Sequence, residues 1–553
     1  MNNKLKFFFL LVTVGLSSVY MLFFMHIYIA NVGGGGFNLP HNFIVWGGAC
    51  IIIIVSWLCC QDSLSLSVFS RLFIFAAIVL TLPVFYTQHE WIHAALLRVS
   101  ALWLGCLYFI SLERITWTKK RVYLLLFLCM TAATIQAVIF LIQFFDFDFV
   151  LYPLAGSRPA GVFQQPNVLA SFLALGLGCT TLLLLDSKKK CENLTYIDYL
   201  LFMLSAILTL ALVLVQSRTG IIGIILGWGL IVYFHGKQHL LRRYLSILVV
   251  ISTVSVGILI IHNMPAAFVD HTGSNLCRWE LIYRTVSMII HYLPSGIGYG
   301  GFEYTYQDYV ILQFADNLNG GQIFIHPHNE FLYWIAEGGI VAFAGMIIVV
   351  IFAVVLIYRA IRHYRCHPVP LALIFCISPV VFHTQTEFPF YISSLHFILF
   401  LTFIAVVSSF LKEKSPLCRR EKTIPLFKSM IVLVMSISSY SLFCGFSAEL
   451  KLNKIEQNIL KTGMAQNIDI PLPGRWFVDD RVQFDSMNGL LLRYNLTHNP
   501  ELLDRYQKWA TSYLNYHFDK NVYISLISIL RYKGDSRGAS YYQHRLNVIF
   551  LHK

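Results

Sequence analysis

Charge is what this chain of 553 residues has least of: 12% of it is Asp, Glu, Lys or Arg, while 57% is hydrophobic. Soluble domains carry about twice that share of charge, so the composition argues against a water-soluble enzyme and for a polytopic membrane protein. Acidic residues are the scarcer sign, with 28 Asp and Glu against 41 Lys and Arg, a formal net charge of +13. No HExxH and no zinc-ligand spacing occurs, which leaves no sequence signature of a metal centre. The stretch "PSGIGYGGF" (294–302) lacks the Lys-Ser/Thr of a P-loop and the strand–helix setting of a dinucleotide site, and reads as a tight loop between helices. No pair of carboxylates stands as in a glycoside hydrolase. Of the twelve cysteines only Cys277 falls clearly in an outer segment, so a disulfide framework is not expected.

Long apolar runs are abundant. Thirteen could each cross a bilayer, which takes about 20 residues; the first is 7–30, the twelve that follow include 369–384, and the last is 425–446. The first run exceeds a signal-peptide core and reads as a retained anchor. With the amino terminus in the cytoplasm, 22 Lys and Arg fall in cytoplasmic loops, among them Lys188–Lys190 and Lys414–Lys422. Only four fall in outer loops before residue 446: Arg158, Arg218, Arg278 and Arg284. This bias orients the chain and turns the excess positive charge into orientation charge, so no nucleic acid is expected as a partner. It also marks the four outer arginines as exceptions.

The expected organisation is all-α, with about 13 transmembrane helices. Residues 1–150 are spans; 151–262 are spans with a re-entrant or interfacial "PAGVFQQPN" segment; 263–331 form one long outer loop. Residues 332–446 are spans opening with "HPHN", and 447–553 form a small helical outer domain. In that tail "NPELLDRYQKWATSYLNYHF" has helical apolar spacing, with Asn499 and Pro500 as its start.

Each exceptional arginine stands in unusual sequence: "GSRPAG" for Arg158, "VQSRTG" for Arg218, "NLCRWELIYRTV" for Arg278 and Arg284. Singly, an outer arginine can simply snorkel to lipid headgroups. Together they suit a phosphate, which guanidinium forks bind in a bidentate way without losing charge. The stretch "IHPHNEFLYWIAEGG" (325–339) sets His326, His328, Asn329 and Glu330 directly before an apolar run. A histidine there can serve as a general base for a hydroxyl nucleophile; the cluster can equally be a wetted helix start capped by Asn329. A metal reading would draw on His326, His328, Glu330, His383 and Glu387. Gln164, Gln165 and Asn167 of "GVFQQPN" put polar groups where only protein or a water-filled cavity tolerates them, so they are expected to line the site; helix capping by Asn167 is the plainer alternative. Arg98, within the fourth run, has no evident partner in the sequence.

These stretches carry a resemblance. "CRWELIYRTVSMIIHYLPSGIGYGGF" followed by "HPHNEFLYWIAEGGIVAFAG" resembles the O-antigen ligase/polymerase superfamily, and "SRPAGVFQQPNVLASFLALG" looks like the signature of its bacterial O-linked protein oligosaccharyltransferase branch (PglL-type). The resemblance covers residues 150–550. It implies an inner-membrane enzyme with its active site facing the periplasm. Such an enzyme moves a glycan en bloc from undecaprenyl diphosphate to Ser or Thr of a periplasmic protein such as pilin, by inverting, metal-independent transfer with no cofactor. The alternatives are ligation to lipid A core, polymerisation of lipid-linked glycan, or a transporter or flippase. By resemblance Arg218 and Arg278 hold the donor diphosphate, with Arg284 and Arg158 as further candidates. His326 and His328 match the family's essential histidine region. The base is expected at His328 ahead of His326, with Asn329 or a neighbour orienting the ring.

Overall fold

The computed structural model describes residues 3–33, 35–59, 66–145, 158–185, 193–264, 272–314, 323–412, 425–464 and 467–551. Of the described residues 83% are helical and none lies in a strand. Among them twelve helices are long and apolar enough to cross a membrane, from Phe7–His26 to Pro425–Thr462. The remaining expected span, 369–384, is the shorter apolar helix Val369–His383. Its 15 residues give about 22 Å of helix at the usual rise, against roughly 30 Å of hydrocarbon. It ends at His383, and Thr384–Phe388 turns before Pro389 opens the next short helix. The basic segments Lys188–Lys190 and Lys414–Lys422 lie outside the described residues.

At the centre runs Pro166–Leu185, with 94% of its most apolar stretch buried. It packs on Lys119–Phe144, Tyr196–Leu214 and Val369–His383. Small residues permit these approaches: a Cβ on Gly176 would lie 2.2 Å from the Cβ of Ala133, and Gly223 and Gly227 abut Pro379. Close backbone contact of this kind holds helices together where lipid supplies no hydrophobic drive.

Helix Glu330–His363 is broken once, at Gly339 (φ 58°, ψ −146°). The break frees the Ala336 and Glu337 carbonyls from their intrahelical partners, and the glycine-rich loop takes them. Ile297 N donates to Ala336 O (3.2 Å), Gly298 N to Glu337 O (2.8 Å), while Ile340 N donates to Pro294 O (2.9 Å). "PSGIGYGGF" is therefore a backbone clasp on the kink. Gly296, Gly298 and Gly300 all have positive φ, and a Cβ on Gly296 would sit 2.5 Å from Gly339 N. The Glu337 side chain completes the joint, accepting from Phe302 N (3.1 Å) and pairing with Arg98, whose guanidinium lies 4.1 Å from the centre of the Tyr333 ring. That ion pair accounts for the intramembrane arginine. Gly339→Ala should destabilise the protein by on the order of 3 kcal/mol or more, because the backbone conformation is strained for any side chain and the new Cβ would meet Pro294 O at 2.2 Å; thermal unfolding in detergent measures it.

The division expected at residue 446 falls inside one continuous helix, Pro425–Thr462. Its tail part has apolar spacing that matches the membrane part, with no proline or further glycine to stop it until Gly463. Helices Arg475–Thr497, Pro500–Tyr513, Lys520–Tyr532 and Ser536–Leu546 follow. Arg481 ties the first of these to the long helix through Glu449 (2.6 Å) and Glu456 (2.7 Å). Asn499 caps the second by accepting from Glu501 N (3.0 Å).

Candidate functional site

Four separate segments meet around one buried carboxylate, Glu387, in the turn that follows Val369–His383. The first is the turn Gly161–Phe163 and the start of Pro166–Leu185. Two glutamines of Lys119–Phe144 pin this turn, Gln143 Oε1 accepting from Gly161 N (2.9 Å) and Gln136 Oε1 from Val162 N (3.0 Å). Pro166 opens the helix, a position where its missing N–H costs nothing. Gln165 and Asn167 are thereby aimed at Glu387: Gln165 Nε2 donates to Oε2 (2.7 Å) and Asn167 Nδ2 to Oε1 (2.5 Å). Asn167 is one residue inside the helix, and its side chain serves the carboxylate rather than a cap. The second segment is the start of Arg218–Gly223, where Ser217 Oγ donates to Asn167 Oδ1 (2.7 Å). Beside it Arg158 donates to Val215 O (2.5 Å) and lies within electrostatic reach of Glu387. The third is Thr272–His291, from which Arg278 Nη2 reaches Glu387 Oε1 at 2.6 Å, its side chain 34% exposed. The fourth is the "HPHN" turn.

Behind Glu387 lies a chain of buried hydroxyls and imidazoles. A consistent proton assignment runs from Ser393 Oγ to His396 Nδ1 (2.9 Å), then from His396 Nε2 to Ser171 Oγ (3.3 Å). It continues from Ser171 Oγ to His383 Nδ1 (2.9 Å) and from His383 Nε2 to Glu387 Oε2 (3.2 Å). Its last N–H points at the carboxylate and favours the anion. Burial pushes the Glu387 carboxyl up, but His383 and Arg278 outweigh it and hold it below the usual range. Truncation would strand the buried donors together. Glu387→Ala should cost roughly 3–5 kcal/mol, the range for breaking a buried pair, read as a lower unfolding midpoint, while Glu387→Gln, which keeps the shape, should cost less.

His326 and His328 face each other at the turn, ring centres 4.8 Å apart. His326 is buried with both ring nitrogens unpartnered, and His328 Nδ1 is likewise buried and unpartnered. Burial is the main cause that pushes His328 down to about 4, with Glu387 opposing and Arg278 adding to it. His326 is pushed well below the ordinary imidazole range, through burial and the neighbouring His328. Both are therefore neutral at pH 7, each with a lone pair able to accept a proton.

The expected set divides. Arg158, Arg278, Gln165, Asn167 and His328 gather at Glu387; Arg218, exposed, directly follows the Ser217 that bonds to Asn167. Asn329 does not orient a histidine. It caps Glu330–His363 by accepting from Leu332 N (3.0 Å), and its Nδ2 donates to Gln385 O (3.1 Å). Both ends of its amide are thus directed away from the imidazoles, the oxygen to Leu332 N and the nitrogen to Gln385. Arg284 does not join the site either: it is 3% exposed, paired with Glu280 one helical turn away (2.9 Å) and placed over the Phe314 ring. A spacing of six residues turns Arg278 and Arg284 about 240° apart on a helix, so they face different ways. Gln164, at a left-handed φ of 59°, lines a separate cavity of about 40 Å³ beside Tyr20 and Asn42. Glu387 was weighed in the sequence only as a metal ligand. Among the described residues no group of three or more His, Cys, Asp or Glu is arranged to hold a metal ion. The available signal for its role was a lone carboxylate flanked by apolar runs, a costly placement unless it is paired.

Residues 202–347 match the family described as O-Antigen ligase, and residues 371–553 match the family described as virulence factor membrane-bound polymerase, C-terminal. The first match holds Arg218, Arg278 and the "HPHN" turn; the second opens ahead of Glu387. Together they cover more than half of the chain. No curated protein matches it.

Proposed function

The chain belongs to the O-antigen ligase/polymerase superfamily, and we propose that within it the protein moves a glycan en bloc from undecaprenyl diphosphate to a Ser or Thr hydroxyl of a periplasmic protein such as pilin. At the coarser level it is a multi-pass membrane enzyme of the ligase/polymerase kind. The observation that carries the finer reading is the convergence of cationic and amide groups on Glu387 beside two neutral, unpartnered histidines. Among the described residues, Arg158 and Arg278 bring two positive charges to Glu387, a balance that suits a diphosphate. In the transfer the acceptor oxygen attacks the anomeric carbon and inverts it. The carbon–phosphate oxygen bond breaks, and undecaprenyl diphosphate leaves with the electron pair. The acceptor proton passes to His328, with His326 its neighbour. Arginine charge stabilises the leaving diphosphate, so neither metal nor cofactor is required. "PAGVFQQPN" supports the protein-acceptor branch, because its Gln165 and Asn167 build the site. The match over residues 371–553 favours a second reading, a polymerase whose acceptor is another lipid-linked glycan.

The pH profile is specific. Activity should be lost as pH falls through the pKa of the free base, so kcat/KM should stay level across the ordinary imidazole range near 6.5 and fall only toward about 4. An acid limb near 6.5 would place the base on an exposed group. The reading itself is tested with purified protein and lipid-linked glycan in EDTA, offered pilin, lipid A core or a second lipid-linked glycan. Glycosylated pilin supports the proposal. Product with only lipid A core or only the second glycan makes the protein a ligase or a polymerase. No product with any acceptor favours a transporter or flippase.

A further inference from the structure

A cleft of about 410 Å³ opens where three parts of the chain meet: the segment before Ile92–Leu112, the glycine-rich clasp with Phe302–Phe314, and the turn at Asn515 and Tyr516 of the tail. Its walls carry Tyr86, Tyr292, Tyr304 and Tyr516. Among them stand the amides of Gln88 and Asn515 and the carboxylate of Asp308. The tyrosines are held in place: Tyr304 stacks on Phe518 (ring centres 5.0 Å, planes 15° apart), Tyr516 donates to Glu90 (3.0 Å), and Tyr86 donates to Gly338 O at the kink (2.8 Å).

This lining selects a ligand class. No lysine or arginine lines it, and Arg545, behind its wall, is turned to Asp308 (3.6 Å) and Tyr304 (3.5 Å), so it does not suit phosphate. It is too polar for a lipid chain or an apolar helix. A pyranose ring is amphipathic, with C–H faces that pack on aromatic rings and hydroxyls around its edge that both donate and accept. Tyrosines satisfy the faces; amides and a carboxylate satisfy the edge, the amides from both sides. The position also fits. The clasp grips Glu330–His363 at Glu337, eight residues beyond Asn329, a separation of about 12 Å along the helix. None of the residues lining the cleft belongs to the "HPHN" turn or to the Glu387 cluster, so it suits sugars of the glycan other than the one being transferred.

We propose that the cleft framed by Tyr86, Tyr292, Tyr304 and Tyr516 is a saccharide-binding site, separate from the Glu387 cluster. Its role as a subsite of transfer rests on the glycan-transfer reading; its affinity for saccharide does not. The same chemistry would hold the distal sugars of the donor glycan or the sugars of a lipid A core acceptor.

The test is binding to the purified full-length protein by saturation-transfer NMR and titration, without turnover. One probe is the oligosaccharide released by mild acid from the host's own lipid-linked glycan; the other is the core oligosaccharide released from its lipopolysaccharide. Binding of the first assigns the cleft to the donor, and binding of the second to the acceptor. The double variant Gln88→Ala/Asn515→Ala removes two exposed side chains and should weaken binding about tenfold or more, the loss expected from two hydrogen-bonding groups, with an unchanged unfolding midpoint. Ser295→Trp, which fills the cleft from an exposed wall, should do the same. Failure of both saccharides to bind, or equal binding by wild type and both variants, overturns the proposal. Binding without any transfer activity upholds the cleft and removes the transfer reading; transfer without binding does the reverse.

Discussion

Arg278→Ala is expected to lower kcat/KM for glycan transfer by roughly 10²–10³-fold, the loss typical of one preorganised donor to a developing anion. The protein should still reach the membrane in normal amount. The reason is local. Arg278 touches Glu387 through one guanidinium nitrogen, and its side chain is 34% exposed, so part of its fork remains available to an incoming diphosphate. Lysine there should restore only part of the activity, because an ammonium is a point charge without the fork. Arg218→Ala, at the exposed start of its helix, should act in the same direction. Near-normal transfer in both alanine variants would remove the diphosphate site. Arg284→Ala should behave differently, as a packing defect, since Arg284 is buried between Glu280 and Phe314.

His328→Ala should remove most activity, roughly 10²–10⁴-fold if it is the general base, while donor binding is largely kept. A serine or threonine hydroxyl does not ionise near neutral pH, so its attack needs a proton acceptor. His328 offers one: it is neutral, it is electrostatically coupled to Glu387 and Arg278, and its Nδ1 has no partner. His326→Ala is the companion measurement, as its two ring nitrogens are also unpartnered. Wild-type rates and pH dependence in both variants would reduce the turn to a helix start, and the base would be sought elsewhere.

Most of the membrane architecture was legible because hydrophobic length is a one-dimensional signal. Twelve of the thirteen runs are helices long enough to span; the exception, Val369–His383, comes from a run already short for a span. The residue 446 division falls within one helix, because polarity changes there while helical periodicity does not. Within the site, the residue types that suit phosphate and base chemistry were visible, and so were the segments that carry them. Their partners were not, because pairing is set by packing between distant segments. Arg98 finds its partner in Glu337 of a distant helix, and of the two roles open to Asn329 the structure shows the cap on Leu332 N. Glu387, which binds the cluster together, is separated from Gln165 by more than two hundred residues. The glycine-rich stretch could be denied a nucleotide by its missing lysine, yet its role as a clasp depends on a kink that only the folded helix reveals.

The central claim is that Arg278 and its neighbours around Glu387 form a diphosphate site. Titration of the purified protein with undecaprenyl diphosphate bearing no glycan tests this most directly, since the ligand has the anion and the lipid but no sugar. The account predicts saturable binding to the wild type, weakened roughly a hundredfold in Arg278→Ala and competitive with the lipid-linked donor. Equal affinity of wild type and Arg278→Ala for undecaprenyl diphosphate would contradict it.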